Sequence, residues 1–299
     1  MYDIIIIGAG PAGLTAAIYG RRANKSVLVL EAKSYGGQII NTLDIENYPA
    51  NNHISGFDFA TNLYNQAKEL GAEIVFDKVI EITNNKEVIT ANNKYNAKAI
   101  IIATGSDNRK LGLPNEDELI GKGISYCATC DGAFFKGKDV AVVGGGNTAL
   151  EDALYLSNLA NKVYIIHRRD EFRGEDKSVN LIKQKDNIEL ILNSTVTKLI
   201  SDDKLTGIEV TNKDGSINTI NIDGLFVAIG RVPSNDYYKN IINLDDQGYV
   251  IANEDCKTNI PFIFVAGDNR TKEVRQLVTA TSDGAVAATN AIKYIESGE

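Results

Sequence analysis

The 299-residue sequence predicts an α/β protein made of two Rossmann-like dinucleotide-binding domains, the second inserted into the first. Three observations predict it. Short β-branched runs alternate with helical stretches, the pattern of helices packed on a mostly parallel sheet. A strand, glycine turn, helix and strand follow one another twice, once from Ile4 and once from Val140. Each half then closes on a similar segment, Ala99-Ile100-Ile101-Ile102-Ala103-Thr104-Gly105 in the first and Gly224-Leu225-Phe226-Val227-Ala228-Ile229-Gly230 in the second.

Ile4–Ile7 reads as a buried strand and runs into Gly8-Ala9-Gly10-Pro11-Ala12-Gly13. A helix is expected from about Pro11 to Ala23, then a strand over Val27–Leu30 that ends at Glu31. The second unit repeats this order. Val140–Val143 leads into Gly144-Gly145-Gly146-Asn147-Thr148-Ala149, a helix runs from about Thr148 to Leu159, and Val163–Ile166 follows. A last strand, Phe262–Val265, enters Ala266-Gly267-Asp268, and a helix is expected from about Ser282 to Ile295. This tail is too short for a domain of its own, so it returns to complete the first. Residues 1–112 and 235–299 then form one domain and 113–234 the other, with connections near Arg109–Pro114 and Pro233–Tyr237.

Composition narrows the function. Hydrophobic residues make up 43% and charged residues 23%, which excludes wholesale disorder. A formal charge of −8 lacks the basic footprint of a nucleic-acid binder. No apolar run approaches the roughly 18 residues of a membrane span. Met1-Tyr2-Asp3 puts no basic region before the first apolar run, so that run reads as a strand rather than a signal peptide, and a cytoplasmic protein is expected. Three cysteines are too few for a disulfide scaffold. Cys127 and Cys130 form C-x-x-C, which points to redox chemistry. A structural zinc site needs four ligands, and only Cys256, His53 and His167 lie outside that pair, so no metal is expected. Cys256 reads as an inert thiol.

The first glycine motif follows a strand and opens a helix, the context that gives it meaning. Gly8, Gly10 and Gly13 permit a tight turn and close backbone approach to a pyrophosphate, and the helix N-terminus offers free N–H groups to that anion. Glu31, 23 residues after Gly8, suits ribose hydroxyls. In the second motif Gly144, Gly146 and Ala149 match G-x-G-x-x-A, and the same count of 23 from Gly144 lands on His167. The carboxylate is missing there. Arg168 and Arg169 follow at once, and Arg173 lies a helical turn further. A carboxylate repels a 2′-phosphate, whereas arginine forks bind one. The second site therefore suits NADPH, with Gly144, Gly146, Asn147, Thr148, His167, Arg168, Arg169 and Arg173 as its candidate residues.

Two dinucleotide sites and a dithiol suggest a two-electron relay, for which a flavin is the usual intermediary between nicotinamide and disulfide. Cys130 lies 14 residues before Gly144, so dithiol and nicotinamide share a domain and the flavin belongs to the other. A helix N-terminus at Cys127 would stabilise a thiolate. Opening a disulfide by hydride needs an acid for the leaving sulfur, and Asp131 is the candidate.

Cys127-Ala-Thr-Cys-Asp-Gly132, Gly144-Gly-Gly-Asn-Thr-Ala149 and His167-Arg-Arg-Asp-Glu-Phe-Arg173 together resemble the low-molecular-weight bacterial thioredoxin reductases. Gly36-Gly37-Gln38, Glu46-Asn47-Tyr48-Pro49, Ala103-Thr104-Gly105, Ala266-Gly267-Asp268 and Arg275-Gln276 extend the resemblance over essentially the whole chain. It implies FAD, NADPH, a homodimer and thioredoxin as protein substrate. It also implies that Gly37, Gln38, Asn47, Asp268, Arg275 and Gln276 lie along FAD, beyond Gly8–Gly13 and Glu31. Cys130 would face the flavin, Cys127 would attack the thioredoxin disulfide, and Asp131 matches the family's proton donor. Pro233-Ser234-Asn235 departs from the usual proline-asparagine-threonine, a change conservative in polarity.

Four other readings compete: another disulfide acceptor, an oxygen-using dithiol oxidase, a lipoamide- or glutathione-type reductase, and a flavin-binding module without turnover. The arginine segment speaks against the oxidase, which needs no NADPH. The third type carries wider cysteine spacing near the N-terminus and a late histidine, and neither occurs here.

Overall fold

The computed structural model describes residues 1–42 and 44–298. The chain divides into two compact units, Met1–Asp107 with Val232–Glu299, and Asn108–Arg231. These divisions fall a few residues before the segments read as connections.

The first unit opens with β1 (Tyr2–Ile7), α1 (Pro11–Arg22) and β2 (Val27–Glu31). After α2 (Gly56–Glu69) come β3 (Glu73–Phe76), β4 (Val79–Ile82), β5 (Glu87–Thr90) and β6 (Lys94–Ile102). The strands lie in the order β3-β2-β1-β6-β5-β4. Ile5 of β1 stands between Leu28 and Ile100 in parallel register. Ile4 to Ile7 are all buried, because both faces of this sheet are covered. That is why the strand reads as an unbroken apolar run rather than an alternation. β5 pairs antiparallel with β4 and with the start of β6.

β7 (Ser106–Asn108) leads into the inserted unit. There follow β8 (Ile124–Ser125), α3 (Ala128–Asp131), β9 (Asp139–Val143), α4 (Asn147–Ser157), β10 (Lys162–Ile166), α5 (Asp176–Ile182) and β11 (Ile188–Ile191). An antiparallel sheet of β12 (Ser194–Ser201), β13 (Leu205–Asn212) and β14 (Ile217–Asn221) precedes β15 (Gly224–Val227). The parallel sheet has the order β11-β10-β9-β15-β8. β16 (Arg231–Pro233) pairs with β7, so the two chain crossings form one short ribbon. Within the segment read as the first connection, the N–H groups of Leu111, Gly112 and Leu113 all donate to the buried Glu116 carboxylate, which pins it.

β17 (Ile263–Val265) returns to the first sheet beside β6, and α6 (Leu277–Ser297) ends the fold. α6 begins five residues before the expected start at Ser282. Gln276 and Thr279 form a reciprocal capping box there, a glutamine cap that the usual Ser/Thr/Asp/Asn signal does not flag. Both glycine turns leave the carboxyl ends of parallel strands, where ligand crevices form in such sheets. Among the described residues no helix is long and apolar enough to cross a membrane.

Candidate active site

The first cradle is built by close approach of backbones. Gly8 has φ +109°, and a Cβ there would stand 2.3 Å from the Ala103 carbonyl oxygen at the end of β6. A Cβ on Gly13 would fall 1.9 Å from Gly8 O, so only hydrogen fits between α1 and the turn. Gly37, with φ +62°, faces Gly10 with no side chain between them; a Cβ on it would lie 3.4 Å from Gly10 Cα. Gly10 is the N-cap of α1, no side chain caps the helix, and its first turn carries no acidic residue. This leaves a bare N-terminus fitted to a pyrophosphate. Glu31 accepts the Ala9 N–H and the Lys33 N–H, each at 2.8 Å, which fixes the carboxylate at the edge of the turn.

The remaining candidates of this unit lie on separate stretches of chain. Asn47 Nδ2 donates to Gln276 Oε1 at 3.4 Å. Arg275 Nε donates to the Asp268 carbonyl at 3.5 Å, and its guanidinium lies 4.3 Å from the centre of the Tyr249 ring. Gly267, just before Asp268, would bring a Cβ within 3.0 Å of Ala12 Cβ on α1. Gln38 lies at the edge and donates to Asp107 at 2.7 Å.

The second cradle keeps the plan with different fittings. A Cβ on Gly144 would meet Ala228 O at 2.4 Å, and Gly146 faces open space at the N-cap of α4. Asn147 Oδ1 accepts the Glu175 N–H at 2.8 Å; both Asn147 and Thr148 are exposed. His167 is buried, with its ring stacked on Phe172 and lying where a side chain on Gly145 would be. Burial first, then the three neighbouring arginines, lower its pKa, so it stays neutral at pH 7. It floors the site by packing, while Arg168, Arg169 and Arg173 stand exposed around it. Among the described residues none of these three arginines pairs with a carboxylate, so their charge is available to an anion.

The dithiol lies in the same unit. Cys127 and Cys130 form a disulfide with Cα atoms 5.3 Å apart, Cys127 being the N-cap of the single-turn α3. Asp131 is largely buried, and that burial raises its pKa, against a hydrogen bond from Ser125. Ser125 Oγ donates to Asp131 Oδ2 at 2.6 Å and accepts the Cys127 N–H at 3.1 Å. One hydroxyl therefore ties the Asp131 carboxyl to the first cysteine. Tyr126 donates to Glu116 at 2.8 Å and anchors the residue before Cys127 to the loop at 111–113. Cys256 is fully buried, and burial pushes its thiol up to about 12, so it stays protonated and unreactive.

Sequence reasoning missed Ser125, Tyr126 and Glu116, since serine, tyrosine and glutamate at those spacings belong to no motif. It also missed Asp152 on α4, whose carboxyl is pushed up to about 7 by burial and then by Glu151, partly offset by Arg231.

Comparison with known proteins gives the family. The family described as pyridine nucleotide-disulphide oxidoreductase matches residues 2–284. A thioredoxin reductase of Listeria monocytogenes is 46% identical over 301 aligned positions, covering 99% of this chain and 94% of its own. One from Bacillus subtilis is 42% identical, with 99% and 95% covered. The solved structure of thioredoxin reductase from Streptococcus pyogenes superposes with a TM-score of 0.94 at 40% identity, covering 99% of each chain. By these matches the chain belongs to the pyridine nucleotide-disulphide oxidoreductases, among the thioredoxin reductases.

Proposed function

We propose that the chain is a thioredoxin-disulfide reductase using NADPH and FAD, cytoplasmic and homodimeric. The observation that carries this reading is the Cys127–Cys130 disulfide beside Asp131, whose carboxyl pKa is raised by burial, in one unit with an arginine-rimmed dinucleotide cradle. Gly8, Gly10, Gly13 and Gly37 seat the FAD pyrophosphate and Glu31 the ribose, with Gln38, Asn47, Asp268, Arg275 and Gln276 along the rest. Gly144, Gly146, Asn147 and Thr148 seat the NADPH pyrophosphate. Arg168, Arg169 and Arg173 take its 2′-phosphate, and His167 supports them as a neutral floor.

FAD, when bound, supplies two-electron transfer between a nicotinamide and a disulfide. The chain's residues manage sulfur and protons. Opening the Cys127–Cys130 bond takes two electrons and leaves two sulfurs to be protonated or stabilised. Asp131 delivers a proton to the departing sulfur, held in line by Ser125. Asp131 takes that proton back from Cys127, whose thiolate attacks the thioredoxin disulfide to form a mixed disulfide and release the other thioredoxin sulfur as a thiolate, which water protonates. Cys130 attacks that bond, restoring the Cys127–Cys130 disulfide and releasing thioredoxin as a dithiol.

The test is NADPH consumption by the purified flavoprotein with a panel of acceptors: thioredoxin, glutaredoxin-like and peroxiredoxin-like proteins, lipoamide, glutathione disulfide and oxygen alone. Turnover with thioredoxin and little with the rest is expected. Equal turnover with oxygen alone, or none with any disulfide, rejects the reading. Light scattering of the purified protein at twice the chain mass is expected for the dimer.

A further inference from the structure

Asp283 on α6 is 4% exposed, yet its carboxylate takes four hydrogen bonds. Gly267 N–H, Arg270 Nε and Lys272 Nζ donate to Oδ2, and Arg270 Nη2 to Oδ1, all at 2.9 Å. The Arg270 side chain is 1% exposed and that of Lys272 4%, so two cations are buried against one carboxylate. Glu254, at the rim, reaches Arg270 at 3.1 Å. Burial alone would raise the Asp283 carboxyl, but the hydrogen bonds from Arg270 and Lys272 outweigh it and hold the group below the usual carboxylate range.

Burying charges is costly, and well-packed apolar side chains often stabilise a core as well as an ion cluster does. The cluster therefore invites a role beyond stability, and its position supplies one. Gly267 opens the Gly267–Asp268 turn with φ +89°. Arg270 and Lys272 lie in the stretch that leads to Arg275 and Gln276. The next residue after Asp283, Gly284, sits so close to α1 that a Cβ would stand 2.2 Å from Ala12 O. Turn and stretch thus meet at a single carboxylate, and the residue after it packs against the start of α1.

We propose that Asp283 is a positioning residue for the FAD cradle, holding the Gly267–Asp268 turn and the Arg275–Gln276 segment in register with the N-terminus of α1. The proposal rests on the first cradle being the FAD site. It predicts that loss of the Asp283 charge loosens FAD while leaving the inserted unit intact.

The test uses full-length protein stripped of flavin and titrated with FAD by fluorescence. NADPH affinity and thermal unfolding of the stripped protein are measured alongside. Saturable FAD binding by the unaltered chain checks the underlying reading; its absence would sink that reading itself. Asp283→Asn keeps the shape and removes the charge. Charge-assisted hydrogen bonds are worth enough that FAD affinity should fall about tenfold or more, with NADPH affinity unchanged. Lys272→Met leaves Gly267 and Arg270 in place and should weaken FAD in the same direction by less. Unchanged FAD affinity in Asp283→Asn, even with a lower unfolding midpoint, makes the cluster structural only and overturns the proposal. If Asp283→Asn does not fold, Lys272→Met decides alone: weaker FAD binding supports positioning, and unaltered binding overturns it.

Discussion

In both glycine cradles a side chain on the first glycine would strike the alanine carbonyl that ends the closing strand, Ala103 O for Gly8 and Ala228 O for Gly144. From that shared start the two sites diverge. In the first, α1 approaches until only hydrogen fits at Gly13. In the second, α4 stands far enough off for the buried methyl of Ala149. At the end of the second strand, Glu31 is tied by two backbone N–H groups and presents a carboxylate. His167 instead packs over Gly145 and leaves three arginines exposed. On the proposed reading the glycine turn is a common seat for an anion, and the choice of dinucleotide rests on what closes the second strand.

The largest effect expected from breaking this comparison is at Gly13. Gly13→Ala inserts a methyl 1.9 Å from a carbonyl oxygen, which demands backbone movement. Overpacking of this kind costs about 1–3 kcal/mol, and here it also displaces the anion seat. Protein purified with little flavin is expected, read as flavin absorbance per chain. The mirror change, Ala149→Gly, should cost only about 1 kcal/mol of helix propensity. A fully flavinated Gly13→Ala protein would show that the close approach is not required.

Next comes a group that only the inserted unit has. Asp131→Asn should slow disulfide reduction about a hundredfold or more, the scale of a lost general acid. Its pH profile gives a second reading. The raised carboxyl pKa means the proton is present at lower pH and is lost as pH rises through that value. Turnover carried by Asp131 should fall on that side, and the asparagine variant should lose that limb. A variant with the same profile as the parent would move the proton donor elsewhere.

Exchange of the strand-end chemistry ranks third. Arg168→Ala with Arg169→Ala removes charge-assisted contacts worth about 1.5–3 kcal/mol each. KM for NADPH should rise about a hundredfold or more, with KM for NADH little changed. Equal rises for both would detach the arginines from the 2′-phosphate.

How far these sites could be read in the sequence follows from how local their chemistry is. Gly8, Gly13, Glu31 and the arginines after His167 were legible because a fixed spacing along one strand–turn–helix–strand unit sets their geometry. Spacing proposes His167 for the second cradle, but its packing over Gly145 is not legible there, since spacing cannot tell a ring that faces a ligand from one that faces a glycine. Ser125 and Asp131 meet through one hydroxyl, and Asp283 meets Gly267 at a sequence separation of 16. Such contacts depend on tertiary placement. The antiparallel sheet of β12, β13 and β14 went unread for the same reason: its alternation is mixed with polar residues on an exposed face.

The smallest expected effect separates the two helices that open the cradles. The first turn of α1 and its interior carry no acidic residue, whereas α4 carries Glu151 and Asp152. The Asp152 carboxyl is raised to about 7, by burial and then by Glu151. Its ordinary value applies in the unfolded chain, so between the two values the folded state binds more protons. Stability therefore falls as pH rises through this window, and the full penalty is present above about 7. Asp152→Asn removes the titration and the repulsion from Glu151. Above neutral pH the unfolding midpoint should rise, on the order of a degree or two once solvent screening is allowed for, and the gain should shrink as pH falls toward the ordinary carboxylate value, where folded and unfolded chains both hold the proton. Thermal unfolding on both sides of neutrality checks this. A gain of equal size at both pH values would mean that Asp152 acts through packing, not charge. A gain confined to the alkaline side would locate in α4 an electrostatic strain that α1 does not carry.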